Sequence, residues 1–239
     1  EMMILDDKVN GMFNKDRVFH SSFNELKKLE AYTLVADGNN TKKVKVNEFK
    51  TQSAQSESVF YDDRKETVFD YPKLTRGSIA HVESEFINKD IRFLTPFYFS
   101  HYLPINNATY SIVFPEDVDV RYLIKNDNAR TIRVTESQKG KKKKIEFTAS
   151  GIGNLEYFTS SPSISYYAPH VIVYIASYKN DNSVTPVFGS VDELYKWNAH
   201  FLEGINTAPD AGLQQLADSI GKGKATQREK AAAVYAWVQ

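Results

Sequence analysis

Short runs of β-branched and aromatic residues alternate with turn residues along most of the chain. In "KKVKVNEF" the valines Val44 and Val46 would face one side of a strand, and the polar residues between them the other side. Similar runs recur roughly every ten residues, with Asn, Asp, Gly and Pro between them. They are "YTLVA", "SVFYD", "ETVFDY", "SIAHVESEF", "RFLTPFYFS", "ATYSIVFP", "RYLIK", "RTIRVTE", "KKKIEFTA" and "HVIVYIAS". This spacing favours an antiparallel sandwich or barrel, and we expect a β-sandwich of many short strands.

The segment before the first clear strand has a mixed pattern. In "SSFNELKKLEAY", Ser22 could cap a short helix with Glu25 at the third helical position, or the segment could be a loop.

After Pro186 the period changes from two to that of a helix. Ser190 and Glu193 have the spacing of a capping box, and the apolar residues that follow them repeat at helical intervals. A second helix is predicted around Leu213–Ile220, with Gly221 as the residue that ends it.

A third helix is predicted to begin at Thr226, which forms a second capping box with Glu229. Its apolar stripe consists of Ala231, Val234, Tyr235 and Val238. No C-cap signal precedes Gln239, so we expect the chain to have been cut and the stripe to pack elsewhere or fray. The predicted domains are therefore residues 1–186, an antiparallel β-sandwich, and residues 187–239, a C-terminal helical connector and the start of a further core.

Composition narrows the possible classes of protein. Thirty basic and thirty acidic residues cancel, so no overall charge attracts nucleic acid or an anionic membrane. No apolar run is long enough to span a membrane, and "EMMILDDKVNG" lacks the features of a signal peptide. Cysteine is absent, which excludes disulfides, thiolate metal ligands and a cysteine nucleophile from these residues.

Histidines and lysines supply the first candidates for chemistry. His81 and Glu83 share one face of a predicted strand and could be two ligands, although an exposed polar face is the better interpretation. His101 is flanked by aromatic residues and is predicted to be a packed or surface histidine. The run Lys139–Lys144 could bind anions, but Gly140 favours the tip of a hairpin.

Aromatic, serine and glycine motifs add no active site. Phe97 and Phe99 in "FLTPFYFSHYLP" could stack on sugars or bases, yet their spacing favours a buried face. "TSSPSISYYAPHV" contains no nucleophile elbow, and "SGIGNLE" holds only half of a dinucleotide motif. We therefore predict no catalytic, cofactor-binding or metal-binding residue in this chain.

Four segments resemble exported bacterial transglutaminase-like proteins of the Bacteroides type. The end, "ADSIGKGKATQREKAAAVYAWVQ", is similar to the entry into their core, with matches at Thr226, Glu229, Lys230, Ala231, Tyr235, Trp237 and Val238. "VFDYPKLTRGSIAHVESEF" resembles a domain of unknown function that precedes such cores, through Pro72, Gly77 and Ser78. "PFYFSHYLPINNATYSIVFPEDVDVRY" and "APHVIVYIASY" continue the likeness, which spans about residues 32–239.

The resemblance implies a function for the parent protein and not for this segment. It implies an exported, periplasmic or cell-surface protein whose catalytic Cys, His and Asp lie beyond Gln239, in a core that is the partner of these residues. The chain would then be a non-catalytic domain that positions the core or its substrate, in a thiol acyltransferase or cysteine protease. The alternatives are a separate extracellular module that binds carbohydrate or protein, and a complete hydrolase with an unrecognised site.

Overall fold

A computed structural model describes residues 1–7, 13–38, 40–54, 63–156, 158–181, 183–205, 208 and 210–239. Contacts divide the chain into two compact units, Glu1–Thr185 and Pro186–Gln239. Among the described residues, the first unit consists mostly of strands and turns, with a short 3-10 turn at Ile164–Tyr166, and the second unit contains three α-helices.

The strands of the first unit follow the alternating pattern of the sequence. In chain order they are β1 Met2–Met3, β2 Lys15–His20, β3 Asn24–Asp37, β4 Asn40–Lys45, β5 Lys50–Ser53, β6 Lys65–Asp70, β7 Ile79–Asn88, β8 Phe97–Tyr98, β9 Ile105–Pro115, β10 Val118–Lys125, β11 Arg133–Lys139, β12 Lys142–Ile152, β13 His170–Asn180 and β14 Ser183–Pro186. The registers recorded between them are antiparallel. The predicted mainly β, antiparallel fold with helices at its C-terminal end is confirmed.

Four sheets share two hydrophobic cores. The sheet β1-β7-β3-β4 and the sheet β2-β6-β5 contribute to one core, which includes Ile4, Ala31, Phe69 and Ala80. The sheet β11-β12-β9 and the sheet β10-β13-β14, with β8 beside β13, contribute to the other, which includes Phe147. Each pair of sheets thus buries its inner faces against each other, as in a sandwich. The sequence pattern predicted one sandwich because periodicity does not show which strands share a core.

Two segments differ from the prediction. "SSFNELKKLEAY" is neither a helix nor a loop, because most of it lies in the strand β3. Its ion pairs, such as Lys28 with Glu83 on β7, stabilise a solvent-facing side of a sheet instead of a helix face. In "RFLTPFYFS" only two residues form a strand. "SVFYD" lies outside the described residues.

The second unit holds three helices: α1 Val191–His200, α2 Ala211–Ile220 and α3 Gln227–Val238. Both predicted capping boxes are present, since Ser190 and Thr226 accept hydrogen bonds from the backbone N–H groups of Glu193 and Glu229. Gly221 ends α2 with a right-handed helical backbone conformation. A glycine at the C′ position usually adopts the left-handed conformation instead. None of the described helices is long and apolar enough to cross a bilayer.

Candidate functional site

An open groove of about 890 Å³ lies among strands β9 to β14 of the first unit. Its apolar lining includes Phe114, Val120 and Ile145, which also belong to the second core. Charged residues of both signs surround these side chains. They are Glu116, Asp117, Asp119, Arg121, Glu136, Lys143, Lys144 and Lys179. An apolar floor with a mixed charged rim is suited to binding a polypeptide or another polar chain.

The groove offers little for catalysis. Two serines, Ser137 and Ser177, line it, but no histidine does in the described part of the chain. A serine needs a neighbouring base to become a nucleophile. At the edge of the groove, Lys144 contacts Glu146, and a hydrogen bond from that ammonium together with one from Ser111 lowers the pKa of the Glu146 carboxyl. Glu146 therefore stays ionised and is not available as a proton donor.

His81 and Glu83 do not form a shared site. The ring of His81 stacks on Tyr32 at 4.3 Å between centroids, and its Nδ1 lies 3.0 Å from a carboxylate oxygen of Glu1. Glu83 instead accepts a hydrogen bond from Lys28 at 2.9 Å. Within the described ranges, no group of three or more His, Cys, Asp or Glu side chains could hold a metal ion.

His101 lies in a loop and is solvent-exposed. Its ring contacts Tyr102 at 4.0 Å, and its Nδ1 accepts a weak hydrogen bond from the backbone of Leu103. Partial burial lowers the pKa of the imidazole. No carboxylate or hydroxyl is recorded beside it in the residues described, so it has no triad partner there.

The lysine run is a hairpin tip. Lys139 faces Lys142 across β11 and β12, and Gly140 has φ +59° in the turn between them. Lys144 is neutralised by Glu146. The run therefore supplies the turn and part of the rim of the groove.

The dense aromatic segment contributes to the core. Phe99 is 1% exposed, and Phe97 stacks in parallel on Tyr110 at 4.9 Å. Tyr102, three residues later, is the exception: it is 59% exposed and lies parallel to Phe13 at 6.3 Å. An exposed ring of this kind can stack on a sugar or on another ring.

Sequence reasoning missed a partly buried polar cluster on β2, β5 and β6, in which Thr67 is the buried member. Thr67 lies 3.1 Å from Nε2 of His20 and 2.8 Å from the hydroxyl of Thr51. Glu66, the preceding residue, points to the other side of β6, where it pairs with Arg17 at 3.1 Å. The carboxylate is thus separated from the histidine by the strand itself, and the cluster satisfies buried polar groups without forming a triad. The pairing of β2 with β5 through β6 was the missing signal, because none of these contacts is local in sequence.

A family model for a domain of unknown function with a solved structure matches residues 13–152, more than half of the chain. The chain belongs to the DUF3857 family. A search of curated proteins gives no match.

A crystal structure described as that of a putative protease from Parabacteroides distasonis has the same fold. The TM-score is 0.70 at 15% sequence identity, and the match covers 96% of this chain. The chain spans 43% of that longer chain.

Within the DUF3857 domain, the residues around Pro72 build a turn. Gly77 has φ +82°, which favours glycine, and its N–H donates to the carbonyl of Ile4 at 2.7 Å. Ser78 is buried, and its hydroxyl bridges the N–H and C=O groups of Thr75. These contacts hold the N-terminal segment against β7. Gly77 and Ser78, which carried the resemblance in the sequence, therefore have a structural role.

The helical unit lies outside the DUF3857 match and presents its apolar side chains to solvent. No residue in α1, α2 or α3 is buried. On α3 the predicted stripe stays helical to Val238, yet Tyr235 is 65% and Val238 70% exposed. Within the helical unit itself the stripe is therefore exposed, and the unit shows a large apolar surface.

Proposed function

We propose that this chain is a non-catalytic domain of an exported, transglutaminase-like protein, and that its helical unit docks on a catalytic core further along the same polypeptide. The core would carry out acyl transfer or amide hydrolysis through a cysteine thiolate paired with histidine. The DUF3857 domain would position this core or guide its substrate.

The exposed apolar side chains of the helical unit carry this proposal. A face that includes Val234, Tyr235 and Val238 would cost about 25 cal/mol for each Å² left in water. Helices α1 and α2 expose large apolar residues too, among them Tyr195 at 74% and Leu213 at 65%. Patches of this kind in soluble proteins mark contact surfaces. The greater length of the similar putative protease chain supports a partner within the same polypeptide.

The first experiment is to sequence the gene beyond the codon for Gln239. A downstream Cys, His and Asp in that order would support the proposal. The full-length protein is then expected to cleave or transfer acyl groups on amide substrates, and to lose this activity when that cysteine is changed to alanine. The 239-residue chain should be inactive in the same assay. A stop codon at this point, or a tail without the cysteine, would contradict the thiol-enzyme proposal.

A second experiment tests the docking face directly. In the full-length protein, Tyr235→Asp should lower the melting temperature, because it places a charge in the interface. Ala236→Asp is the matched control, because it places the same charge on the next residue of α3, whose side chain points in a different direction around the helix. In the 239-residue chain both variants should have the small effect of exposed positions. Equal effects of the two variants in the full-length protein would argue against a core on this face.

The alternative is a separate binding module for glycans or proteins. The exposed ring of Tyr102 beside Phe13 is the observation that favours it. It predicts that the 239-residue chain binds an oligosaccharide or protein partner by itself, and that Tyr102→Ala abolishes binding. Phe97→Ala is not a suitable control, since it damages the core, whereas Tyr166→Ala removes another exposed ring without touching the cluster.

A further inference from the structure

In the described part of the chain, the outer edge of the strand β10 is not paired with another strand. This strand pairs with β13 on one side and is the terminal strand of its sheet as far as the chain is described. Natural edge strands are usually blocked by lysines, prolines or bulges. The edge strand β4 follows this rule with Lys42, Lys43 and Lys45, whereas β10 reads "VDVRYLIK" and carries exposed Leu123 and Ile124.

The sequence of β10 is complementary to itself when it is read in the antiparallel direction. With Val120 at the centre, Val118 stands opposite Tyr122, and Asp119 stands opposite Arg121. Residues directly opposite each other lie on the same face of an antiparallel pair. We propose that two copies of this chain pair along β10, about a two-fold axis at Val120, and extend the sheet β10-β13-β14 across the dimer.

The backbone of β10 is suited to this pairing. The carbonyl of Asp117 accepts a hydrogen bond from Lys179 N at 2.9 Å, so it points toward the β13 side. Backbone groups of successive strand residues alternate in direction. Those of Val118, Val120 and Tyr122 therefore point outward, toward the second copy.

The irregularity in this ladder does not disturb the outer edge. The register changes between Asp119, opposite Ser177, and Val120, opposite Ile175. The extra residue, Ala176, is thus on β13, and β10 keeps the regular alternation that pairing requires.

The charges on β10 fix the register. Arg121 donates to Asp119 of its own strand at 2.8 Å, and both side chains are about half exposed. In the dimer each Arg121 would also face Asp119 of the second copy, which gives four alternating charges on one face. The edge strand β9, which is longer than β10, contains no charged residue, so nothing on it selects one register. Asp119 and Arg121 also line the groove of about 890 Å³, so the second copy would add the same two residues to its rim.

The test is the mass of the 239-residue chain in solution, measured by sedimentation equilibrium over a range of protein and salt concentrations. We expect a reversible dimer of twice 27.2 kDa that weakens as salt increases. Arg121→Asp places like charges opposite each other at two equivalent positions and should raise the dissociation constant about tenfold or more. Asp119→Arg should do the same.

Charge exchange supplies the decisive result. The double variant D119R/R121D is again self-complementary and should restore the dimer. An equimolar mixture of Asp119→Arg and Arg121→Asp should form the heterodimer, although each variant alone is monomeric. Val120→Pro removes an outward N–H and should prevent pairing in any charge background. Circular dichroism verifies that each variant is folded.

Lys42→Asp is the matched control, since it makes the same change in net charge on another edge strand and should leave the dimer intact. A single-chain mass at every soluble concentration would overturn the proposal. So would a dimer that survives Arg121→Asp and is dissociated by Tyr235→Asp, because the helical unit would then form the interface. The proposal would also be overturned if the unchanged chain forms a dimer but the folded double variant D119R/R121D stays monomeric.

Discussion

The two units of this chain place their large apolar side chains in opposite environments. In the β unit, the cores contain residues such as Phe147, which is fully buried, and Phe99, which is 1% exposed. In the helical unit, no helix residue is buried, and Val191 is 81% exposed. Sheets close on one another through contacts that are distant in sequence, whereas each of these helices begins at a cap formed by residues that are close in sequence.

The difference indicates where each unit obtains its stability. Buried apolar area stabilises the β unit within the residues described. Short helices of ten to twelve residues are marginal in water without a packed face. The helical unit is therefore the part that is expected to change most when a partner binds, which is consistent with the docking role proposed for it.

The largest expected effect comes from opening the core of the β unit. Phe147→Ala removes a ring that contacts Tyr122 edge-on at 4.9 Å, and we expect a loss of about 3–5 kcal/mol in the free energy of unfolding. Urea denaturation followed by tyrosine fluorescence measures it. Tyr166→Ala, at a ring that is 76% exposed, is the control and should change the stability by less than about 0.5 kcal/mol. A small loss for Phe147→Ala would mean that this core is not the source of stability.

An intermediate effect is expected from removing a cap in the helical unit. Thr226 accepts a hydrogen bond from Glu229 N, and Glu229 accepts one from Thr226 N at 2.9 Å. Thr226→Ala should cost the helix about 1 kcal/mol, seen as faster hydrogen exchange in α3, while the melting of the β unit stays unchanged. Thr226→Ser should retain the cap. If Thr226→Ala instead lowers the melting temperature of the β unit, the two units unfold together and the contrast between them is wrong.

Local patterns were sufficient to predict much of this fold. The alternation around Val44 predicted a strand, and the spacing of Ser190 with Glu193 and of Thr226 with Glu229 predicted two helix starts. The turn at Gly140 was predicted because a two-residue hairpin loop needs a left-handed residue. In each case the signal and the structure lie within a few residues of each other.

Long-range arrangement was not accessible in the same way. Ser22 and Glu25 have the spacing of a helix cap, but pairing of β3 with β7 and β4 outweighs that local preference. The cluster of Thr67 with His20 and Thr51 forms only because β6 lies between β2 and β5. The alternation of apolar and polar residues does not show this order of strands. The groove is likewise a product of six strands, so the sequence supplied its charged residues without showing that they meet.

The smallest expected effect is a pH dependence in the link between β10 and β11. Asp127 accepts hydrogen bonds from Thr131 N at 2.8 Å and from Ile132 N at 3.0 Å. Partial burial by itself raises the pKa of this carboxyl, but the hydrogen bonds from Ile132 and Thr131 together outweigh it and lower the pKa below 3.8. Since the folded-state pKa is lowered, the carboxylate stabilises the fold above the unfolded-state pKa, and this contribution is lost as pH falls through the folded-state pKa.

Asp127→Asn should therefore lower the urea midpoint of the β unit at neutral pH and approach the parent protein in acid. Most of the carboxylate is solvated, so screening should keep the difference below about 1 kcal/mol. Denaturation at pH values from neutral to below the ordinary pKa of aspartate measures it, and the helical signal should not change. A difference of equal size at every pH would assign the effect to hydrogen-bond geometry, because the charge of Asp127 is lost in acid while the position of its oxygen atoms is not.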